Sequence, residues 1–282
     1  REIIAEVVTN SVINRVGASF VHDAQERTGL SAADVARAYT ITRDAFDIRG
    51  LWRPIEKLDD KVPAALQIEM MRDVGRLVER SLYWFLRNGT HPLDVAATAA
   101  VFRPGITALA HGLEGVLTPE RDARFRAHAA RLVKAGVPED LARRVACLEE
   151  MGSACDLVRI ARLTQQRIET AAEVYFALGA RLGFEWLRDA ARAMKTETAW
   201  QKSAVDAVID DLRAQQADLT VKALGEGGAD AEAKPSVGAL LAGRAHAVKR
   251  VDALVAEFKA VPTVDVAMLA VASRRLRTLA GG

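Results

Sequence analysis

Apolar residues recur at steps of three and four along almost the whole chain, and the alternation of a half-buried strand is nearly absent, so the chain is committed to helices. Residues 64 to 87 show the pattern: Leu66, Met70, Val74, Leu77 and Trp84 share one helical face, with Glu69, Arg72, Arg76 and Arg80 on others. Asn88-Gly89 then ends that helix, since both residues tolerate positive φ. Helix starts are marked by Ser31 with Asp34 a turn later, and by Thr118 before Pro119 and Glu120; each places a side-chain oxygen ahead of free N–H groups. Gly29, Gly89, Gly136 and Gly183 punctuate the chain, and Pro54, Pro63, Pro92, Pro104, Pro138 and Pro262 stand where helices begin or bend. The expected fold class is all-α, a multi-helix bundle of about ten to twelve helices with one Gly/Ala/Pro-rich mobile loop.

That loop is 225 to 236, Gly225-Glu-Gly-Gly-Ala-Asp-Ala-Glu-Ala-Lys-Pro-Ser236, which holds no large apolar residue. It is expected to separate a main helical domain, residues 1–224, from a C-terminal helical pair, residues 237–282. The pair carries the stripe Val248, Val251, Leu254, Val255 and Phe258, and two helices alone bury little, so docking on the main domain is expected. A chain of 282 residues with 50% hydrophobic content can bury a substantial core.

The 39 basic and 37 acidic residues are mixed along the same segments, which leaves no field to recruit polyanions; nucleic acid is not an expected partner. No stretch approaches the roughly 18 uninterrupted apolar residues of a membrane span, and no secretory leader is visible, so no membrane is expected and the cytoplasm is the expected setting. The first residue is Arg1, inside what reads as an amphipathic helix, from which an excised fragment or processed product is expected.

Groups able to do chemistry are present but poorly arranged for it. Cys147 and Cys155 lie in what reads as one helix, about 12 Å apart along its axis, too far for a disulfide and best taken as packed thiols. Among His22, His91, His111, His128 and His246, none pairs with histidine or cysteine at a ligand-like separation. His111 and Glu114 stand one turn apart, half of a metal site at most, while His22 and its neighbour Asp23 diverge by about 100°. The adjacent acids Asp59-Asp60, Glu149-Glu150 and Asp210-Asp211 are expected to split into one interfacial and one solvated member, and Ser153 lacks the strand–turn–helix setting of a nucleophile elbow.

Two further readings concern ligands. Gly225-Glu-Gly-Gly follows a helix and has Asp230 where a third glycine would fall, so it is no dinucleotide turn. Residues 24 to 48 have the outline of a helix-turn-helix, yet the second helix opens Ala32-Ala33-Asp34, whose carboxylate would repel phosphates. Tyr39, Arg43 and Phe46, followed by Trp52, form a core seam with an embedded arginine, and Trp186 and Trp200 are expected to pin successive helices.

Several landmarks nonetheless keep a fixed order. They are Asp34-Val-Ala-Arg-Ala-Tyr39, Leu51-Trp52, Leu58-Asp59, Gln67, Val137-Pro-Glu-Asp-Leu-Ala-Arg-Arg-Val145, Val174-Tyr-Phe-Ala-Leu-Gly179, Arg181-Leu-Gly-Phe-Glu-Trp-Leu-Arg188, Trp200-Gln201, Asp210-Asp-Leu212, Gln215-Gln216 and Leu219-Thr220. In that order, over roughly residues 1 to 224, the chain resembles the C-terminal helical region of the large bacterial NAD-specific glutamate dehydrogenases; the final sixty or so residues match less clearly. The resemblance implies a parent enzyme, acting on L-glutamate and NAD, whose catalytic part lies upstream. It implies docking, assembly or regulation for this region, with the catalytic and N-terminal domains of the same polypeptide as partners and a homo-oligomeric parent. No catalytic, cofactor-binding or metal position is assigned here, and NAD is expected in the parent only. The alternatives are a free-standing helical interaction or adaptor protein, and an independent enzyme with a metal in its bundle core.

Overall fold

Ser31 shows how the local rules become structure. Its hydroxyl accepts from the Asp34 N–H at 3.2 Å and donates to the Asp34 carboxylate at 2.6 Å, closing the start of the helix Ala32–Ala45. In the computed structural model, which describes residues 17, 19–227 and 233–281, helices make up most of the described residues, and there is no strand among them. Fifteen helices are present among the described residues, more than expected, because short ones interrupt stretches that read as continuous. The chain forms two compact units, residues 1–114 with 119–158, and residues 115–118 with 159–282.

The helices of the first unit are α1 (Phe20–Thr28), α2 (Ala32–Ala45), α3 (Ile48–Glu56), α4 (Ala64–Asn88), α5 (Val95–Val116), α6 (Pro119–Lys134), α7 (Glu139–Ala146) and α8 (Leu148–Met151). α2 buries Val35, Ala38, Tyr39, Ile41, Thr42 and Ala45 and packs on α4, whose buried face includes Leu66, Met70, Val74 and Leu77 as the spacing predicts. Fully burying each such side chain stabilises by about 1.5–3 kcal/mol. Trp84, Phe85 and Phe102 meet edge to face, with ring centroids 5.0–5.3 Å apart. Tyr39, Phe46 and Trp52 are buried as the seam reading requires, and the embedded Arg43 pairs with Asp44 at 2.7 Å.

α4 ends at Asn88, but not by a left-handed cap: Gly89 is extended, with φ −84° and ψ 157°. Glycine is needed there for space, since a β-carbon would overlap the Leu93 side chain and stand 2.7 Å from the Phe85 carbonyl oxygen. Gly29, Gly136 and Gly183 do take positive φ. α6 begins at Pro119 as expected, yet the Thr118 hydroxyl makes no hydrogen bond and so does not cap it.

Helix α9 (Ala154–Thr164) follows a turn at Gly152-Ser153, which corrects the reading of Cys147 and Cys155 as members of one helix. The turn is set from α4: Arg80 donates to Ser153 Oγ at 3.2 Å, and a β-carbon on Gly152 would overlap the Arg80 guanidinium.

In the second unit, α10 (Ile168–Arg181), α11 (Phe184–Ala193), α13 (Ala233–Gly243) and α15 (Val266–Gly281) all pack on α12 (Ala199–Gly227), and α14 (Ala245–Ala260) packs on α13 and α15. α12 is buried on several sides, through Val205, Leu212, Gln216, Leu219 and Thr220 among others. The stripe Val248, Val251, Leu254, Val255 and Phe258 of α14 is buried as predicted. The stretch from Val237 to Lys259 is two helices, broken at Arg244. Of the expected loop 225 to 236, residues 225–227 and 233–236 are helical, and 228–232, with Asp230, lie outside the described residues.

Candidate functional site

Groups that the sequence marks as chemical candidates turn out, for the most part, to bind helices to one another. Cys147 and Cys155 are both free and buried; burial pushes the Cys147 thiol up to about 12 and the Cys155 thiol well above its ordinary value. Neither is a nucleophile near neutral pH. Ser153 is occupied by Arg80, and the indole N–H of Trp84 donates to Asp156 at 2.7 Å.

The paired acids follow the expected split in one case clearly. Glu150 is buried and accepts from Arg121, also buried, while Glu149 is exposed. Asp210 is half-buried and Asp211 exposed, whereas Asp59 and Asp60 are both exposed, contrary to expectation, because Asp60 sits at a turn with φ 58°.

The histidines do not come together. His22, His111 and His246 are exposed, and Glu114 pairs with Arg143 at 2.5 Å, so His111 and Glu114 build no shared site. His91 contacts the Leu86 carbonyl at 2.8 Å through Nε2. His128 is different. With Glu69 and Asp73 of α4 it forms a group whose ligand-type atoms lie within 4.8 Å of one another, the one such cluster among the described residues. Glu69 accepts from Arg131 and Asp73 from Arg76. Histidine–cysteine spacing along the chain does not reveal this group; the legible half of the signal is the carboxylate pair one turn apart, and the histidine arrives from a distant helix.

In the second unit three buried polar side chains of α11 and α12 tie helices together. Arg188 donates to Gln216 Oε1 at 2.6 Å, Gln216 Nε2 donates to the Tyr175 carbonyl at 2.8 Å, and Gln215 Nε2 donates to Ser273 Oγ at 2.8 Å. A β-carbon at Gly179 would lie 2.5 Å from Gln216 Nε2, so a glycine there admits the glutamine. An open hollow of about 380 Å³ is lined by Ser273, Arg274 and by Asp211 and Arg277, which pair at 2.7 Å. Trp186 lies with Lys259 Nζ 5.7 Å from its ring centroid. Trp200 pins nothing: it is 86% exposed, a correction to the sequence reading.

In the helix-turn-helix segment, Asp34 is held by Ser31 and Arg37 at the opening of α2, where a groove-reading helix would present its base contacts. No helix is long and apolar enough to cross a membrane, among the described residues.

Fold and polar contacts together define an all-α protein whose ionic and amide groups fasten helices. The model of the glutamate dehydrogenase C-terminal family matches residues 1–278, and the chain belongs to that family. An NAD-specific glutamate dehydrogenase of Pseudomonas aeruginosa is 37% identical over 280 residues, 99% of this chain and 17% of that protein. The enzyme of the same name in Halomonas elongata is 37% identical over 228 residues, covering 81% of this chain and 14% of that protein. That of Mycobacterium tuberculosis is 30% identical over 281 residues, covering 99% of this chain and 17% of that protein. The chain therefore spans about a sixth of the length of these relatives, and the match runs well past residue 224, where the resemblance read from sequence fades.

Proposed function

We propose that this chain is the C-terminal helical region of an NAD-dependent glutamate dehydrogenase and serves it by contact: docking on other domains, assembly or regulation. The parent reaction is oxidative deamination of L-glutamate with NAD and water, giving 2-oxoglutarate, ammonium and NADH. The supporting observation is 37% identity, sustained over 280 residues, to a stretch that makes up 17% of an NAD-specific glutamate dehydrogenase. Trp200, 86% exposed, presents a large aromatic side chain of the kind that protein contacts cover. NAD and glutamate bind elsewhere in the parent, which works as a cytoplasmic homo-oligomer.

The test compares the complete enzyme with a version lacking this region, by glutamate-dependent NAD reduction and by mass in solution from light scattering. Loss of activity or a smaller assembly is expected. Unchanged values in both, or NAD reduction by the isolated chain supplied with glutamate, would overturn the proposal.

A further inference from the structure

Glu69 and Asp73 are one turn apart on α4, so their carboxylates share a face, and His128 of α6 meets them there. Two carboxylates and an imidazole within 4.8 Å is the mixed oxygen–nitrogen donor set that suits a borderline divalent ion. In a tetrahedral zinc site the ligand atoms stand about 3.4 Å apart, given bonds of about 2.0–2.2 Å, so small side-chain rotations close the present group to that geometry.

The cluster is also incompletely served by the protein. His128 Nε2 is shielded from solvent and makes no hydrogen bond. The Asp73 side chain is only 13% exposed, and its partner Arg76 is 73% exposed, a solvated guanidinium at the edge of a partly buried carboxylate. Arg131, which holds Glu69, is 50% exposed. Both arginines sit where they can swing into water, and ion pairs this exposed contribute little. A cation entering from that side would replace two weak partners and would give the cluster a charge it faces directly.

We propose that Glu69, Asp73 and His128 form a structural binding site for a divalent cation of the zinc class, with water in the fourth position, fastening α4 to α6. Arg131 already spans the two helices to Glu69, so the ion would reinforce an existing clasp. The role is one of stability and is independent of any catalysis by the parent enzyme.

The test uses the 282-residue chain, stripped with a chelator, desalted, and titrated with zinc chloride by calorimetry and by thermal melting. One zinc per chain and a saturable rise in Tm are expected. Magnesium, which prefers an all-oxygen octahedron, should bind far more weakly. His128→Gln and Asp73→Asn should each weaken zinc binding by about tenfold or more. Both keep side-chain volume, and the metal-free Tm of each shows that it folds. The proposal is overturned if zinc does not bind the wild-type chain, if binding survives both substitutions unchanged, or if magnesium binds equally well.

Discussion

Withdrawing the Asp73 carboxyl from water raises its pKa above the ordinary 3.8, against the opposing pull of Arg76. Glu69, one turn away, is shifted the other way, chiefly by the hydrogen bonds it accepts from Arg131. The two have opposite linkage to folding. For Glu69 the lowered value means stability present above the ordinary carboxylate range and lost as pH falls through the lowered value. For Asp73 the raised value means that the folded state holds the proton more tightly than the unfolded chain. Its ionised form therefore costs stability above the raised value, and the cost fades as pH falls from there toward 3.8. Asp73→Asn should accordingly raise the Tm of the metal-free chain by about 1–3 °C at neutral pH, with the gap closing as the solution is acidified. A lower Tm at neutral pH, or a gap that pH does not change, would contradict this. None of it is legible from sequence, because the burial of Asp73 depends on the chain around it and its neighbour His128 comes from another helix.

At the scale of single elements, the periodic signal performs well where a helix has one buried face. Leu66, Met70, Val74 and Leu77 fall where the spacing puts them, and the Ser31–Asp34 start is formed. Breaks are harder to foresee. Nothing local stops a helix between Cys147 and Cys155; the turn at Gly152 is fixed by Arg80 arriving from α4, a contact invisible along the sequence. Gly89 is a related case, a correct stop for an unforeseen reason. Because its φ is −84°, alanine is tolerated by the backbone, and the whole effect of Gly89→Ala comes from the overlap with Leu93 and the 2.7 Å approach to the Phe85 carbonyl. We expect a loss of about 1–3 kcal/mol, the cost of overpacking, read by urea denaturation. A neutral substitution would show that Leu93 yields freely.

Across the whole molecule, α12 illustrates what periodicity cannot convey. Its buried residues include the neighbours Gln215, Gln216 and Ala217, which point in different directions, so it has no single apolar stripe to betray its central place. Its buried amides are served by Tyr175, Arg188 and Ser273, on three other helices. Removal of residues 233–282 takes away α13, α14 and α15, of which α13 and α15 pack on α12, and so strips α12 of part of its cover. A chain ending at residue 232 should bind a dye specific for exposed apolar surface and should melt earlier or without cooperativity. An unchanged melt would mean that the C-terminal helices are accessory to the core.

The chain has four tryptophans, and their surroundings differ: Trp52 is buried, Trp84 is held by Asp156, Trp186 lies near Lys259, and Trp200 is 86% exposed. Fluorescence can therefore isolate one of them. A dissolved collisional quencher such as iodide reaches the indole of Trp200 ahead of the others, which makes that residue a native optical reporter of whether its surface is open to solvent or covered.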